Sequence, residues 1–256
     1  MKIRILGAHN VESTTTRCVS LLVDDAIALD AGGLTSGLSV ADQRRLKAVL
    51  LSHQHYDHIR DIPALALNFS QNGNGIRVYA PSGVRRAIET HLLNGTLYPE
   101  FQKSLAAAPA VDFRPIEPYE RQQIEGYQVL AVPVNHCQGA VGYQLSDDEG
   151  KAIFYTADTG PGLSRCWDGI APHLILADVT VPNEYEKFAR TTRHLTPALL
   201  QAELGQFREM KGYLPEVVIV HMNPSLEKDI AREMACVASA LSASITLARE
   251  GMQLTI

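Results

Sequence analysis

The sequence predicts an α/β (α+β) fold: two sheets packed face to face, with helices outside them, in one domain over residues 1–256. Short apolar runs of strand length recur in both halves, and amphipathic helical stretches alternate with them. No linker, repeat or low-complexity segment divides the chain. Apolar residues make up 46% and charged residues 20% of the 256, enough for a sizeable core and too balanced for a disordered chain.

Each element has a local signal. Residues 1–7 alternate polar and apolar side chains and end at Gly7, which marks an opening strand. A secretion signal would need a cationic end followed by an apolar block. Residues 17–23 and 26–30 flank Asp24-Asp25 and read as a hairpin, with Gly32-Gly33 ending its second strand. Residues 47–52 form the unbroken apolar run of a strand buried on both faces, and it leads straight into His53. Ile59, Ile62, Leu65 and Phe69 fall on one stripe, which predicts a helix over 59–72. Residues 76–80 read as a strand, and 82–93 as a helix with Ser82 as N-cap. In the second half, strands are predicted at 127–134, 141–145, 152–156, 174–177 and 217–220, and helices at 197–210 and 226–241. A hairpin through Arg249-Glu250-Gly251 closes the chain.

Composition excludes several classes of function. The formal charge is −5 without basic blocks, which argues against a broad nucleic-acid-binding face. Cysteines at 18, 137, 166 and 236 form no C-x-x-C pair, so neither a zinc ribbon nor a disulfide scaffold is indicated. No run approaches the roughly 20 apolar residues of a membrane span. A cytoplasmic protein without a membrane partner is the expectation.

The chemistry concentrates in His53-x-His55-x-Asp57-His58, four metal-ligating side chains within six residues, just past an apolar strand. In extended chain, residues two apart project the same way, so His53 and His55 can share one ion while Asp57 and His58 serve a neighbouring one. Imidazole and carboxylate suit zinc, manganese or iron. One short loop cannot fill two coordination spheres, and His136, Asp158 and His221 each stand where an apolar strand gives way to polar sequence.

These residues, in this order, resemble the metal motifs of the metallo-β-lactamase fold, a four-layer αββα sandwich built from two similar halves. The resemblance implies that His53, His55 and His136 hold one metal, that Asp57, His58 and His221 hold the other, and that Asp158 bridges them. Antibiotic-hydrolysing members usually carry a cysteine at the bridging position, so Asp158 points to the dimetal hydrolases instead. Two metals roughly 3.5–4 Å apart suit phosphoester cleavage.

Further segments are similar to the class II 3′,5′-cyclic-nucleotide phosphodiesterases: His194-Leu195-Thr196-Pro197 followed by Gln201-Ala202-Glu203-Leu204, and His91-Leu92-Leu93-Asn94-Gly95-Thr96-Leu97-Tyr98-Pro99-Glu100-Phe101. Tyr98 stands where that family usually has tryptophan, and His-Tyr-Asp-His where His-Leu-Asp-His is more frequent. The resemblance implies hydrolysis of cyclic AMP or cyclic GMP to 5′-monophosphates by a hydroxide shared between two divalent ions. Zinc is the expected ion, with manganese and iron as alternatives. His194 would contact the phosphate or assist the leaving 3′-oxygen, and Asp57 would join it in catalysis. Asn68 and Asn223 are the candidate substrate contacts, and a homodimer is expected.

Three other readings stay open. The tRNA 3′-processing endonucleases share the metal set and a His-x-Thr histidine, but no basic arm is visible between His58 and His136. Thioester hydrolases of the glyoxalase-II type share the bridging aspartate without the His194-Leu195-Thr196 motif. A non-catalytic metal-binding regulatory protein would keep the fold alone. Asp30, ending a strand near Gly32-Gly33, reads equally as a support for metal ligands and as a turn former. His9, His91 and His173 lack ligand spacing and read as structural.

Overall fold

A computed structural model describes residues 1–71, 75–103 and 109–256. The chain forms β1 (Lys2–Gly7), β2 (Ser20–Val23), β3 (Ile27–Leu29), β4 (Ala48–Leu50), β5 (Ile76–Ala80) and β6 (Val111–Pro115) in its first half. The second half supplies β7 (Arg121–Ile124), β8 (Tyr127–Pro133), β9 (Val141–Ser146), β10 (Ala152–Tyr155), β11 (Leu174–Asp178), β12 (Glu216–Val220), β13 (Ile245–Leu247) and β14 (Gln253–Thr255). They build two seven-stranded sheets, ordered β14-β1-β2-β3-β4-β5-β6 and β13-β12-β11-β10-β9-β8-β7. Side-chain alternation sorts the core into layers. Ile3, Ile5, Leu21, Leu29 and Leu50 meet Val129, Tyr143, Ile153, Leu176 and Val218 between the sheets. The opposite faces of the two sheets are covered by helices, through clusters around Leu65, Val78 and Ile88 and around Trp167, Phe207 and Met234. This is the four-layer αββα order.

Strands β3 to β6 pair in parallel, as do β10 to β13, so within each set the carboxyl ends share one edge of the sheet. Crevices at such edges are the usual ligand sites of α/β layers.

Several local expectations are corrected. The helix expected over 59–72 is two helices, Tyr56–Ile59 and Ile62–Ser70, because Pro63 sits in the first turn of the second and cannot continue the first. Asn72, its expected end, lies outside the described residues. Pro81, not Ser82, is the N-cap of Ser82–His91, and no side chain caps it. Thr196 does cap Pro197–Lys211, accepting from the Leu199 N–H at 3.4 Å. Arg249-Glu250-Gly251 is not a hairpin. Strand β13 pairs in parallel with β12, whereas β14 pairs antiparallel with β1 in the other sheet, so this segment crosses between sheets. Asp24-Asp25 is a tight hairpin turn, with φ of 45° and 55°. All four cysteines are free. No helix of the described residues is long and apolar enough to cross a membrane.

Candidate metal centre

Strand ends deliver the candidate ligands. His53 and His55 follow β4, Asp57 and His58 lie on the helix Tyr56–Ile59, His136 follows β8, Asp158 follows β10 and His221 follows β12. Two of these ends turn abruptly. Ala157 and His221 have φ of 52° and 63°, a left-handed conformation costing a β-carbon-bearing residue on the order of 1 kcal/mol, and held only where surrounding structure enforces it. The turn at His221 is pinned from outside. Met222 donates to the Ala8 carbonyl at 3.3 Å, and Asn10 donates to the Met222 carbonyl at 3.2 Å.

All seven expected ligands converge. His53, His55, His136 and Asp158 form one group, and Asp57, His58, Asp158 and His221 a second, with donor atoms inside each group within 4.8 Å of one another. Asp158 belongs to both. Its Oδ1 lies 3.2 Å from His58 Nε2, and its Oδ2 lies 3.3 Å from His221 Nε2 and 3.7 Å from both His53 Nε2 and His136 Nε2. Asp57 Oδ2 is 3.4 Å from His221 Nε2 and 3.5 Å from His58 Nε2. Ligands about 2.0–2.1 Å from a tetrahedral ion lie roughly 3.3 Å apart, so these spacings fit shared cations. His53 Nε2, His58 Nε2 and Asp158 Oδ1 are buried and make no hydrogen bond, which a buried polar atom tolerates only at a cost. The donor set and its unpartnered atoms fit divalent ions.

An outer ring of hydrogen bonds fixes which nitrogen faces inward. His136 Nδ1 donates to the Arg193 carbonyl at 3.0 Å, and a carbonyl can only accept. His58 Nδ1 donates to Asp30 Oδ2 at 2.8 Å. Ser52 Oγ donates to the same Asp30 oxygen at 2.6 Å and so accepts from His53 Nδ1 at 2.9 Å. Thr180 Oγ1 donates to Asp178 Oδ1 at 2.7 Å and accepts from His221 Nδ1 at 2.9 Å. Four imidazoles thus spend Nδ1 outward and turn Nε2 to the centre. His55 differs: it is exposed, and its Nδ1 lies 2.9 Å from His136 Nε2.

Charge favours cations. Burial alone would lower His58 and His221, but Asp158, with Asp30 beside His58 and Asp178 beside His221, outweighs it. His58 is held well above its ordinary range, and His221 is pushed up to about 10. His53 lies well below its ordinary value through burial and the neighbouring His58. Burial would raise the Asp158 carboxyl, but His221 and His58 hold it well below the usual range.

The remaining candidates divide. His194 stands beside both groups: its ring stacks on His221 with centroids 5.1 Å apart and lies 5.0 Å from His136, and its Nδ1 bonds Asp178 Oδ2 at 3.0 Å. Asp30 supports metal ligands, being fully buried and accepting from Ser52, His58 and Tyr155. The two asparagines have hydrogen bonds of their own. Asn68 donates its amide to Gln43 Oε1 at 2.6 Å, between the helices Val40–Gln43 and Ile62–Ser70. Asn223 Oδ1 accepts from Ser225 N at 3.0 Å in the turn after His221. Sequence reasoning missed Asp178, which is fully buried and holds His194 and, through Thr180, His221. The available signal was an apolar strand ending in an acid.

Residues 31–246 match the model of the beta-lactamase superfamily domain. Ribonuclease Z of Methanocaldococcus jannaschii is 25% identical over 146 residues, 54% of this chain and 44% of that protein. The chain spans about half the length of the ribonuclease Z relatives it matches. Among solved structures, yeast PDE1 superposes with a TM-score of 0.81 at 16% identity, covering 100% of this chain and 99% of that one. The metallo-beta-lactamase fold protein YhfI of Bacillus subtilis gives 0.77 at 17% identity, covering 99% and 98%. The family match over most of the chain, on this fold, places the protein in the beta-lactamase superfamily, with the metallo-β-lactamase fold.

Proposed function

We propose that the protein is a metal-dependent phosphodiesterase that opens 3′,5′-cyclic nucleotides to 5′-monophosphates. The observation that supports this reading is His194, held on Asp178 with its ring against both His136 and His221, one from each ligand group. A hydrolase needing only to hold metals has no use for a further oriented histidine there. The His194-Leu195-Thr196-Pro197 segment that positions it is also where the chain is similar to class II cyclic-nucleotide phosphodiesterases.

Bound divalent ions, with zinc our expectation, would supply Lewis acidity and a water of lowered pKa. The chain's own residues do the rest. Asp30, Ser52, Thr180 and the Arg193 carbonyl keep four imidazoles in one tautomer and orientation. Asp178 accepts from His194 Nδ1, which leaves Nε2 for the substrate; with a second proton there, the imidazolium would donate to the phosphate or pass that proton to the leaving 3′-oxygen. Asp57, set between His58 and His221, supports the second group and lends its charge to the reacting end.

A second reading, tRNA 3′-end processing, is favoured by the ribonuclease Z relatives. The net charge of −5 and the absence of a basic arm in the sequence weigh against a long polyanion. The test is one substrate panel on protein of measured metal content: cyclic AMP, cyclic GMP, bis-p-nitrophenyl phosphate and a tRNA precursor. Turnover of a cyclic nucleotide is expected. Cleavage of the tRNA precursor alone would replace this reading with the second.

A further inference from the structure

A cleft of about 630 Å³ lies beside the metal centre, within the roughly 300–1,000 Å³ range of small-molecule sites. It follows the same sheet edge. Gln54 comes after β4, Ser82 after β5 and Glu117 after β6, while Gln138 enters from the loop between β8 and β9. Gln54 sits between His53 and His55. The lining of the cleft is therefore continuous along the chain with the candidate ligands. Gln138 stands two residues past His136, in the loop that follows β8.

The helix Ser82–His91 forms the opposite wall. Ser82, Arg86 and Thr90 recur every four residues and line the cleft, while Val84 and Ile88 are buried in the outer core. The polar groups around this space are unspent. Among the described residues, the side chains of Arg86, Glu117 and Gln138 make no hydrogen bond or ion pair, and Gln54 Oε1 is buried without a donor. One guanidinium, one carboxylate and two amides present donors and acceptors together. That mixture suits a neutral group rich in both. Glu117 would repel a second anion, and an acyl chain would satisfy none of them.

We propose that this cleft is the nucleoside subsite: Glu117 accepts from a ribose hydroxyl, and Arg86 and Gln138 donate to acceptors on the base. The assignment rests on the phosphodiesterase reading and names which part of the substrate lies where. It is tested with two chromogenic diesters. The p-nitrophenyl ester of thymidine 5′-phosphate carries a nucleoside, and bis-p-nitrophenyl phosphate does not. The parent protein favours the thymidyl ester in kcat/KM. Arg86→Ala and Gln138→Ala each reduce that preference about tenfold, the loss expected for one hydrogen bond to a charged or buried partner. Ala87→Trp, which fills the cleft, removes the preference. Equal turnover of both esters by the parent, or variants that slow both alike, would overturn the assignment.

Calorimetric titration of AMP into the metal-loaded protein reads the cleft without turnover. Binding weakened about tenfold by Arg86→Ala supports the assignment, and unchanged binding in all three variants overturns it. Hydrolysis of neither ester by metal-loaded protein sinks the phosphodiesterase reading on its own, and AMP binding still decides the cleft.

Discussion

Asp30→Asn isolates the outer ring of hydrogen bonds from everything else. Asp30 is fully buried and accepts four bonds: Ser52 N–H at 2.8 Å on Oδ1, and Ser52 Oγ at 2.6 Å, His58 Nδ1 at 2.8 Å and Tyr155 Oη at 2.8 Å on Oδ2. Its backbone is left-handed, with φ of 56°, a conformation asparagine adopts as readily as aspartate. The substitution therefore changes charge and donor count, not backbone strain. An asparagine must point its NH₂ group at one set of donors. Facing Ser52 N–H orphans one donor, and facing the other three orphans more, so the first orientation wins. One orphaned buried donor and three weakened charge-assisted bonds, less the relief of a buried charge, sum to about 3 kcal/mol of lost stability. For a chain of this size that is roughly 6–12 °C in Tm. His58 also loses the carboxylate that fixes its tautomer, so metal affinity falls about 10–100-fold. The assays are thermal unfolding of the metal-free protein and competition with a chelator. Tyr155→Phe is the control: it removes one bond to Asp30 without touching a candidate ligand, so stability drops by about 1 kcal/mol and metal affinity holds. If Asp30→Asn lowers Tm and leaves metal affinity unchanged, the carboxylate is structural and the orienting argument fails.

Three further outcomes are expected. His194→Ala lowers kcat on bis-p-nitrophenyl phosphate by about 10²–10³ while metal content stays at the parent value; unchanged kcat removes His194 from the reaction. In the metal-free protein, His58 is raised and His221 reaches about 10, so both carry protons at neutral pH that ligation must displace. Metal affinity therefore rises with pH from neutrality toward about 10, by about tenfold per pH unit for each proton released, and a flat profile in chelator competition contradicts this. The last concerns His9, whose Nδ1 meets Glu250 at 2.8 Å where the chain crosses between sheets. Burial would lower His9 and raise Glu250, but Glu250 and Glu227 raise His9 above 6.5, and His9 leads in lowering Glu250 below 4.5. The histidine contribution is complete below 6.5 and disappears as pH rises through its folded value; the glutamate contribution is complete above 4.5 and disappears as pH falls through its own. Glu250→Gln thus costs about 1 kcal/mol near pH 5.5 and less near pH 9 in denaturant unfolding, and equal losses at both pH values refute the pairing.

The sequence by itself determined the layer order and the seven candidate ligands that the fold brings together. Strands buried on both faces announce themselves as unbroken apolar runs, and in His53-x-His55-x-Asp57-His58 alternation pairs the first two histidines while the short helix Tyr56–Ile59 carries Asp57 and His58. His136, Asp158 and His221 were legible because each ends a buried strand, and strand ends in parallel layers share an edge. What surrounds the ligands was not legible. Asp178 reaches His194 across 16 residues, and Asp30 reaches Tyr155 across 125, contacts that no spacing rule encodes. The bond from Asn68 to Gln43 spans 25 residues and is equally invisible to spacing, whereas Asn223 and Ser225 are two residues apart and their bond is local. The turn at Arg249-Glu250-Gly251 has hairpin chemistry, yet β14 finds β1, some 250 residues away, because that edge of the first sheet was open for pairing. Local periodicity decides which face of a strand or helix is apolar. Which faces meet, and so which groups complete a metal centre or wall a cleft, is decided only when the sheets pack.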